Sequence, residues 1–149
     1  MKKLAIFAAA LWAAFSGPAA AEGPVVVELF TSQGCSSCPP ADKVFSEFVN
    51  RDDVIAIALH VDYWDYLGWK DEFADPSFTN RQRAYARAAG SRTVYTPQMI
   101  VGGRDHIVGT RATELADLVQ KHKAAPNPVK VTLKRDGDLV RIAAIGDVC

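Results

Sequence analysis

The sequence predicts a mixed α/β fold, and three observations carry that prediction. Two runs of β-branched and bulky apolar residues, Val25 to Thr31 and Val54 to His60, flank a stretch in which Ala41, Val44, Phe45 and Phe48 recur at helical spacing. A second helical stretch then leads to two short strand-like runs around Gly102-Gly103, a hairpin signal. The composition is 49% hydrophobic and 23% charged, with 17 basic and 17 acidic side chains, which suits a globular domain and excludes disorder and coiled coil. No net charge and no long Lys or Arg run means no field that would recruit nucleic acid.

Taken in order, residues 1–21 read as an export signal. Lys2 and Lys3 supply positive charge, and Leu4 to Phe15 is an apolar run too short to span a bilayer. Ser16-Gly17-Pro18 breaks the run, and Ala19-Ala20-Ala21 offers a cleavage site. Cleavage after Ala21 would leave a secreted or periplasmic chain beginning at Glu22. No Cys follows the site to carry a lipid, no Arg-Arg pair precedes it, and no later segment is expected to cross a membrane.

In the mature chain, Val25 to Thr31 is a buried strand, Ser32 to Cys38 a turn, and a helix follows. Val54 to His60 is a second buried strand, parallel to the first because a helix connects them. Asp62 to Lys70 is a loop crowded with Tyr63, Trp64, Tyr66 and Trp69. Asp75-Pro76 reads as an N-cap with proline at the first helical position, opening a helix that stops at Gly90. Gln98 to Val101 and Asp105 to Val108 form a hairpin, and Thr110 is expected to cap a third helix bearing Leu115, Leu118, Val119 and His122 on one face. Ala124 to Pro128 is a Pro-punctuated linker before a last hairpin, Val129 to Leu133 with Leu139 to Ala144. The order β-α-β-α-β-β-α, a mixed four-stranded sheet with flanking helices plus a C-terminal β-hairpin, is that of a thioredoxin-like domain over 22–123, followed by a linker and hairpin over 124–149.

Cys35 and Cys38 stand two residues apart between a strand and a helix. A cysteine at a helix N-terminus is favoured as thiolate, and a second one turn on can close a small ring with it. Such a pair can exchange disulfides, Cys35 as nucleophile and Cys38 as resolving thiol, or it can be a permanent staple. Pro39-Pro40 leaves two helix starts open: at Cys35, or near Pro39 with Cys35 one turn outside the dipole. Structural zinc lacks two further ligands. Copper held by both cysteines and one His, such as His60, is a minor option. No metal and no cofactor is expected.

Topology brings three segments to one sheet edge: the cysteine turn, Val61-Asp62-Tyr63-Trp64, and Thr96-Pro97. In thioredoxin-like folds a cis proline faces the cysteine pair and leaves the preceding backbone, here that of Thr96, free to pair with an extended substrate. Pro97 is expected to be that proline, the alternative being a trans proline at a strand start. The aromatics of the 62–70 loop are either a lip for a partner polypeptide, with Tyr63 and Trp64 touching it, or a satellite core pinning the loop. Glu28, inside the first strand, is either a buried proton acceptor for Cys38 or a solvated side chain. Asp62 and Asp65 either orient groups near the thiols or are solvated or capping. Arg81, Arg83, Arg87 and Arg92 read as a solvated helix face, the alternative being a dock for an acidic partner.

Residues 27–42 (Val-Glu-Leu-Phe-Thr-Ser-Gln-Gly-Cys-Ser-Ser-Cys-Pro-Pro-Ala-Asp), 59–71 and 95–103 together resemble the secreted domain-of-unknown-function family numbered 1223, from about Val25 to Lys123. The resemblance implies a thioredoxin-like fold with Cys35, Cys38 and Pro97 at the family's cysteine and proline positions. Gly34 stands where thioredoxin itself carries Trp. Family members continue into a longer C-terminal β-region, so the last hairpin reads as a remnant of it, and Cys149 as an odd thiol. The expected function is exchange with thiols or disulfides of partner polypeptides. The alternatives are a binding module with a structural disulfide, or a metal-handling protein.

Overall fold

The computed structural model describes residues 23–126 and 129–146. The expected signal segment and Cys149 lie outside the described residues. The elements are β1 (Val25–Thr31), α1 (Pro39–Ser46), β2 (Val54–His60), a short 3-10 turn (Asp65–Leu67), α2 (Pro76–Ala88), β3 (Gln98–Val101), β4 (Asp105–Val108), α3 (Ala112–Ala124), β5 (Val129–Asp136) and β6 (Leu139–Gly146). The sheet order is β2-β1-β3-β4, so β2 is an edge strand with Ile55 and Ile57 exposed, and the expectation of a buried second strand is corrected. β1 runs parallel to β2 and antiparallel to β3, and β3 is antiparallel to β4. The predicted element order and mixed sheet are therefore present. Among the described residues no helix is long and apolar enough to cross a membrane.

Strand alternation sorts the core into two layers. Val25, Val27 and Leu29 pack with Ala41, Phe45 and Phe48 from the α1 side and Leu115 and Val119 of α3. Phe30 and Ile100 point the other way, with Leu59, Val61, Phe78 and Tyr85, under α2. Glu28 lies between these strand positions, so its side chain belongs to the α2 layer. Each large side chain buried this way contributes roughly 1.5–3 kcal/mol.

Asp75 caps α2 as predicted, its carboxylate accepting from the Ser77 amide at 2.7 Å with Pro76 in the first turn. Thr110 does not cap α3. The helix opens one residue later, at an Arg111 that makes no side-chain cap. The chain before it is held by Gly109, whose amide donates to the Pro97 carbonyl at 3.0 Å.

β5 and β6 form a separate two-stranded sheet. Its register places Val129, Val131, Leu133, Val140, Ile142 and Ala144 on one face and Lys130, Thr132, Lys134 and Arg141 on the other. Val131, Leu133, Val140 and Ile142 are exposed.

A Cβ at Gly109 would stand 2.9 Å from the Ala41 Cβ, 3.1 Å from the Pro97 Cβ and 3.4 Å from Leu29 Cδ1. β1, the first turn of α1 and the start of β3 are thus closed around one hydrogen atom. Gly109→Ala is expected to lower stability by about 1–3 kcal/mol, the usual range for overpacking, read by urea denaturation of the oxidised protein. An unchanged midpoint would show that these three segments can spread.

Candidate functional site

Cys35 and Cys38 are joined by a disulfide, with Cα atoms 5.4 Å apart. Of the two possible helix starts, the later one holds. α1 begins at Pro39, with Cys38 as N-cap. Pro39 and Pro40 occupy the first helical positions, where a missing N–H leaves no bond unmade. Cys35 is therefore one turn outside the helix, and the expectation that the helix N-terminus would favour its thiolate is corrected. Its side-chain neighbour is instead the Ser37 hydroxyl, 3.6 Å from the sulfur. The turn is tightly bonded: the Cys35 amide donates to the Ser32 carbonyl, the Gly34 amide to Ser32 Oγ, and the Cys38 amide to the Cys35 carbonyl. Thr31 Oγ1 donates to Asp42 at 2.9 Å, joining the end of β1 to the first turn of α1. Both cysteines are buried, Cys35 at 3% exposure and Cys38 at 0%.

The three predicted segments meet. The Thr96–Pro97 peptide is cis. Pro97 is buried and flanks Gly109 opposite Ala41, three residues past Cys38. Trp64 bridges the other two segments. A Cβ at Gly34 would stand 3.0 Å from Trp64 Cβ, and the Trp64 indole N–H donates to Thr96 Oγ1 at 2.8 Å. Gly34, beside Cys35, thus leaves room for a tryptophan delivered from the loop. The β1–β3 ladder begins at Gln98, so the Thr96 backbone lies beyond the paired residues.

The aromatic loop divides into half-buried and exposed residues. Tyr63 and Trp64 are half-buried against the Phe30, Leu59, Val61 and Ile100 cluster, and Tyr63 OH donates to Gln82. Tyr66, Leu67, Trp69 and Phe73 are exposed.

The residue that ties this loop down is Asp71, 1% exposed. Its carboxylate accepts from the Gln33 amide at 2.8 Å and the Phe73 amide at 2.9 Å, and pairs with His60 Nδ1 at 2.7 Å. Burial pushes the Asp71 carboxyl up, but the hydrogen bonds from Gln33, His60 and Phe73 outweigh it and hold it below the ordinary carboxylate range. Sequence reasoning pointed to Asp62 and Asp65 and missed Asp71. Asp62 instead accepts from Thr79 Oγ1, and Asp65 accepts from the Asp71 amide. Nothing local marks Asp71, because its partners arrive from β1 and β2.

Glu28 is buried at 1% exposure, one of its two expected states, but the structure does not bring it to the cysteines. It lies in the α2 layer, on the sheet face away from α1, and its carboxylate accepts from Arg81 Nε and Tyr85 OH. The role of proton acceptor for Cys38 is therefore corrected to one of pairing β1 with α2. Burial, then the bond to Glu28, pushes the Tyr85 hydroxyl up to about 12. Arg81 is thereby not a free surface charge. His122 packs over Gly102 and pairs with Asp105 at 2.7 Å. Among the described residues no group of three or more His, Cys, Asp or Glu side chains could hold a metal ion.

Comparison with known proteins gives two matches. A family described as "Protein of unknown function (DUF1223)" matches residues 26–147. The X-ray crystal structure of protein AGR_C_4864 from Agrobacterium tumefaciens is similar at a TM-score of 0.71 and 46% identity, covering 83% of this chain and 57% of that one. The chain thus spans 57% of that protein's length. No curated protein matches the sequence.

Asp71→Ala would leave the Gln33 amide and His60 without their acceptor, at a cost of roughly 1–3 kcal/mol. Because the folded-state pKa is depressed, the contribution of Asp71 is present above the unfolded value and fades as pH falls below about 4. Urea denaturation across this acid range is expected to show a shallower acid loss in the variant than in the parent. Parallel curves would exclude Asp71 as the clasp.

Proposed function

The chain belongs to the DUF1223 family, and for this member we propose thiol–disulfide exchange on partner polypeptides, run by Cys35 and Cys38 in an exported, thioredoxin-like frame. The observation that carries this reading is a juxtaposition. A two-residue-spaced disulfide, a cis Thr96–Pro97 peptide and Trp64 are held together by the Gly34–Trp64 contact and the Trp64–Thr96 bond. A structural staple would need neither the Thr96–Pro97 segment nor Trp64 beside it. The export signal at residues 1–21 supports an oxidising compartment, where such a pair has work to do.

The exchange proceeds in two displacements. A partner thiolate attacks Cys35 Sγ, the Cys35–Cys38 bond breaks, and its electron pair leaves on Cys38 Sγ, which takes a proton from water. The partner and Cys35 are then joined as a mixed disulfide. A second partner thiolate attacks the partner's own sulfur in that bond, closing the partner's disulfide and releasing Cys35 as thiolate. The partner loses two electrons and the cysteine pair gains them. Run backwards, Cys35 opens a partner disulfide and Cys38 resolves the intermediate. Thr96, beyond the end of the ladder, offers backbone groups to an extended segment, and Tyr63 and Trp64 form the wall behind it.

The burial of both sulfurs favours a second reading, a stapled turn in a non-catalytic binding module. Titration against glutathione separates the two. Exchange predicts a potential above about −230 mV, and a staple predicts one below about −300 mV. With Cys38→Ser, Cys35 is expected to retain partner polypeptides as mixed disulfides, seen as reductant-sensitive bands in an extract of exported proteins. A low potential together with no trapped partner would exclude exchange.

A further inference from the structure

Resting on the exchange reading, we propose that the exposed rings of residues 66–73 select partner polypeptides with a bulky apolar side chain beside the reacting cysteine. The loop is built to hold these rings outward. The Asp71 amide donates to Asp65 Oδ1 at 3.2 Å, closing 65–71 into a bow, and the chain reverses at Gly68, whose φ of 92° is a glycine conformation. Trp64 anchors one end inside and Asp71 the other. The residues between them have no inner layer to enter, and Tyr66 is 77% exposed and Trp69 62%. Leu67 and Phe73 are exposed as well. Four large apolar side chains on eight consecutive residues is more than a solvent-facing loop needs.

Their position identifies the occupant. The Trp69 indole N–H donates to Gln33 Oε1 at 3.0 Å, fixing the ring to the residue two before Cys35. Phe73 packs against His60 at a tilt, with ring centroids 5.4 Å apart. A chain whose cysteine engages Cys35 and which runs toward Gln33 would lay its neighbouring residues across Trp69. Rings held by bonds of their own bury area at little cost in rotamer freedom. Of the charges within this stretch, Lys70 and Glu72 are exposed and of opposite sign, and Asp71 is buried against His60, so a small charged thiol gains little field from it.

The test uses the reduced mature chain and two symmetric peptide disulfides, each two copies of a short peptide joined through one cysteine. One carries Leu and Phe beside the cysteine, the other Ser and Gly. Each turnover converts one peptide disulfide to two thiols and oxidises Cys35 and Cys38, so atoms and electrons balance. The apolar peptide is expected to react about tenfold faster, the order expected from burying one large side chain. The ratio is expected to fall to about twofold in Trp69→Ala/Phe73→Ala and to recover in Trp69→Phe, which keeps a ring. Equal parent rates, or a ratio unchanged in the double variant, would overturn the proposal. Absence of turnover with both peptides and with glutathione disulfide overturns the exchange reading instead. Selection is then read from fluorescence binding of the same peptides with Ser for Cys: tighter apolar binding that needs Trp69 and Phe73 sustains it, and equal binding ends it.

Discussion

The amide of Gln33 finds no acceptor within its own turn, and a carboxylate 38 residues away supplies one. Most of the site's order follows from that bond. Asp71 can reach Gln33 only if the chain after β2 folds back over the cysteine turn. Once it does, Trp64 is brought against Gly34 and Trp69 onto the Gln33 side chain. A buried carboxylate is costly unless every oxygen is engaged. Asp71 meets that condition with two amides and an imidazole, which makes the loop's placement cooperative rather than a sum of weak contacts.

The α2 side of the sheet shows the same economy with different partners. Glu28 is an acid in a strand whose neighbours Val27, Leu29 and Phe30 are fully buried. It is tolerated because α2 presents Arg81 and Tyr85 in the layer that β1's alternation assigns to it. Gln82, also buried, donates to the Tyr95 carbonyl and to Gln98. It thereby ties α2 to the segment entering the cis peptide. The proline side of the crevice is thus steadied from α2, and the cysteine side from the loop.

Element order, strand sense and the meeting of three segments at one edge were legible because they rest on periodicity and topology, which act along the chain. The N-cap at Asp75 was legible for the same reason: cap, proline and helix are adjacent residues. The start of α1 was not, since two prolines in succession are compatible with either register until Cys38 is seen to carry the cap. Asp71 and the true partners of Glu28 were hidden because their bonds are tertiary. An aspartate in a loop and a glutamate in a strand look alike whether solvated or clasped. The aromatic loop holds both half-buried and exposed rings. The choice is made residue by residue, by whether a side chain falls inside or outside the two anchors.

Gly109 sets a boundary on how this crevice can vary. Leu29, Ala41 and Pro97 press on it from three sides, so the inner wall has no spare volume in which a new side chain could alter its shape. Residues 66–70 face water and are bound chiefly at their ends. Novelty among descendants of this scaffold is therefore channelled to the outer bank, where a change of ring, charge or length leaves the load on the sheet untouched.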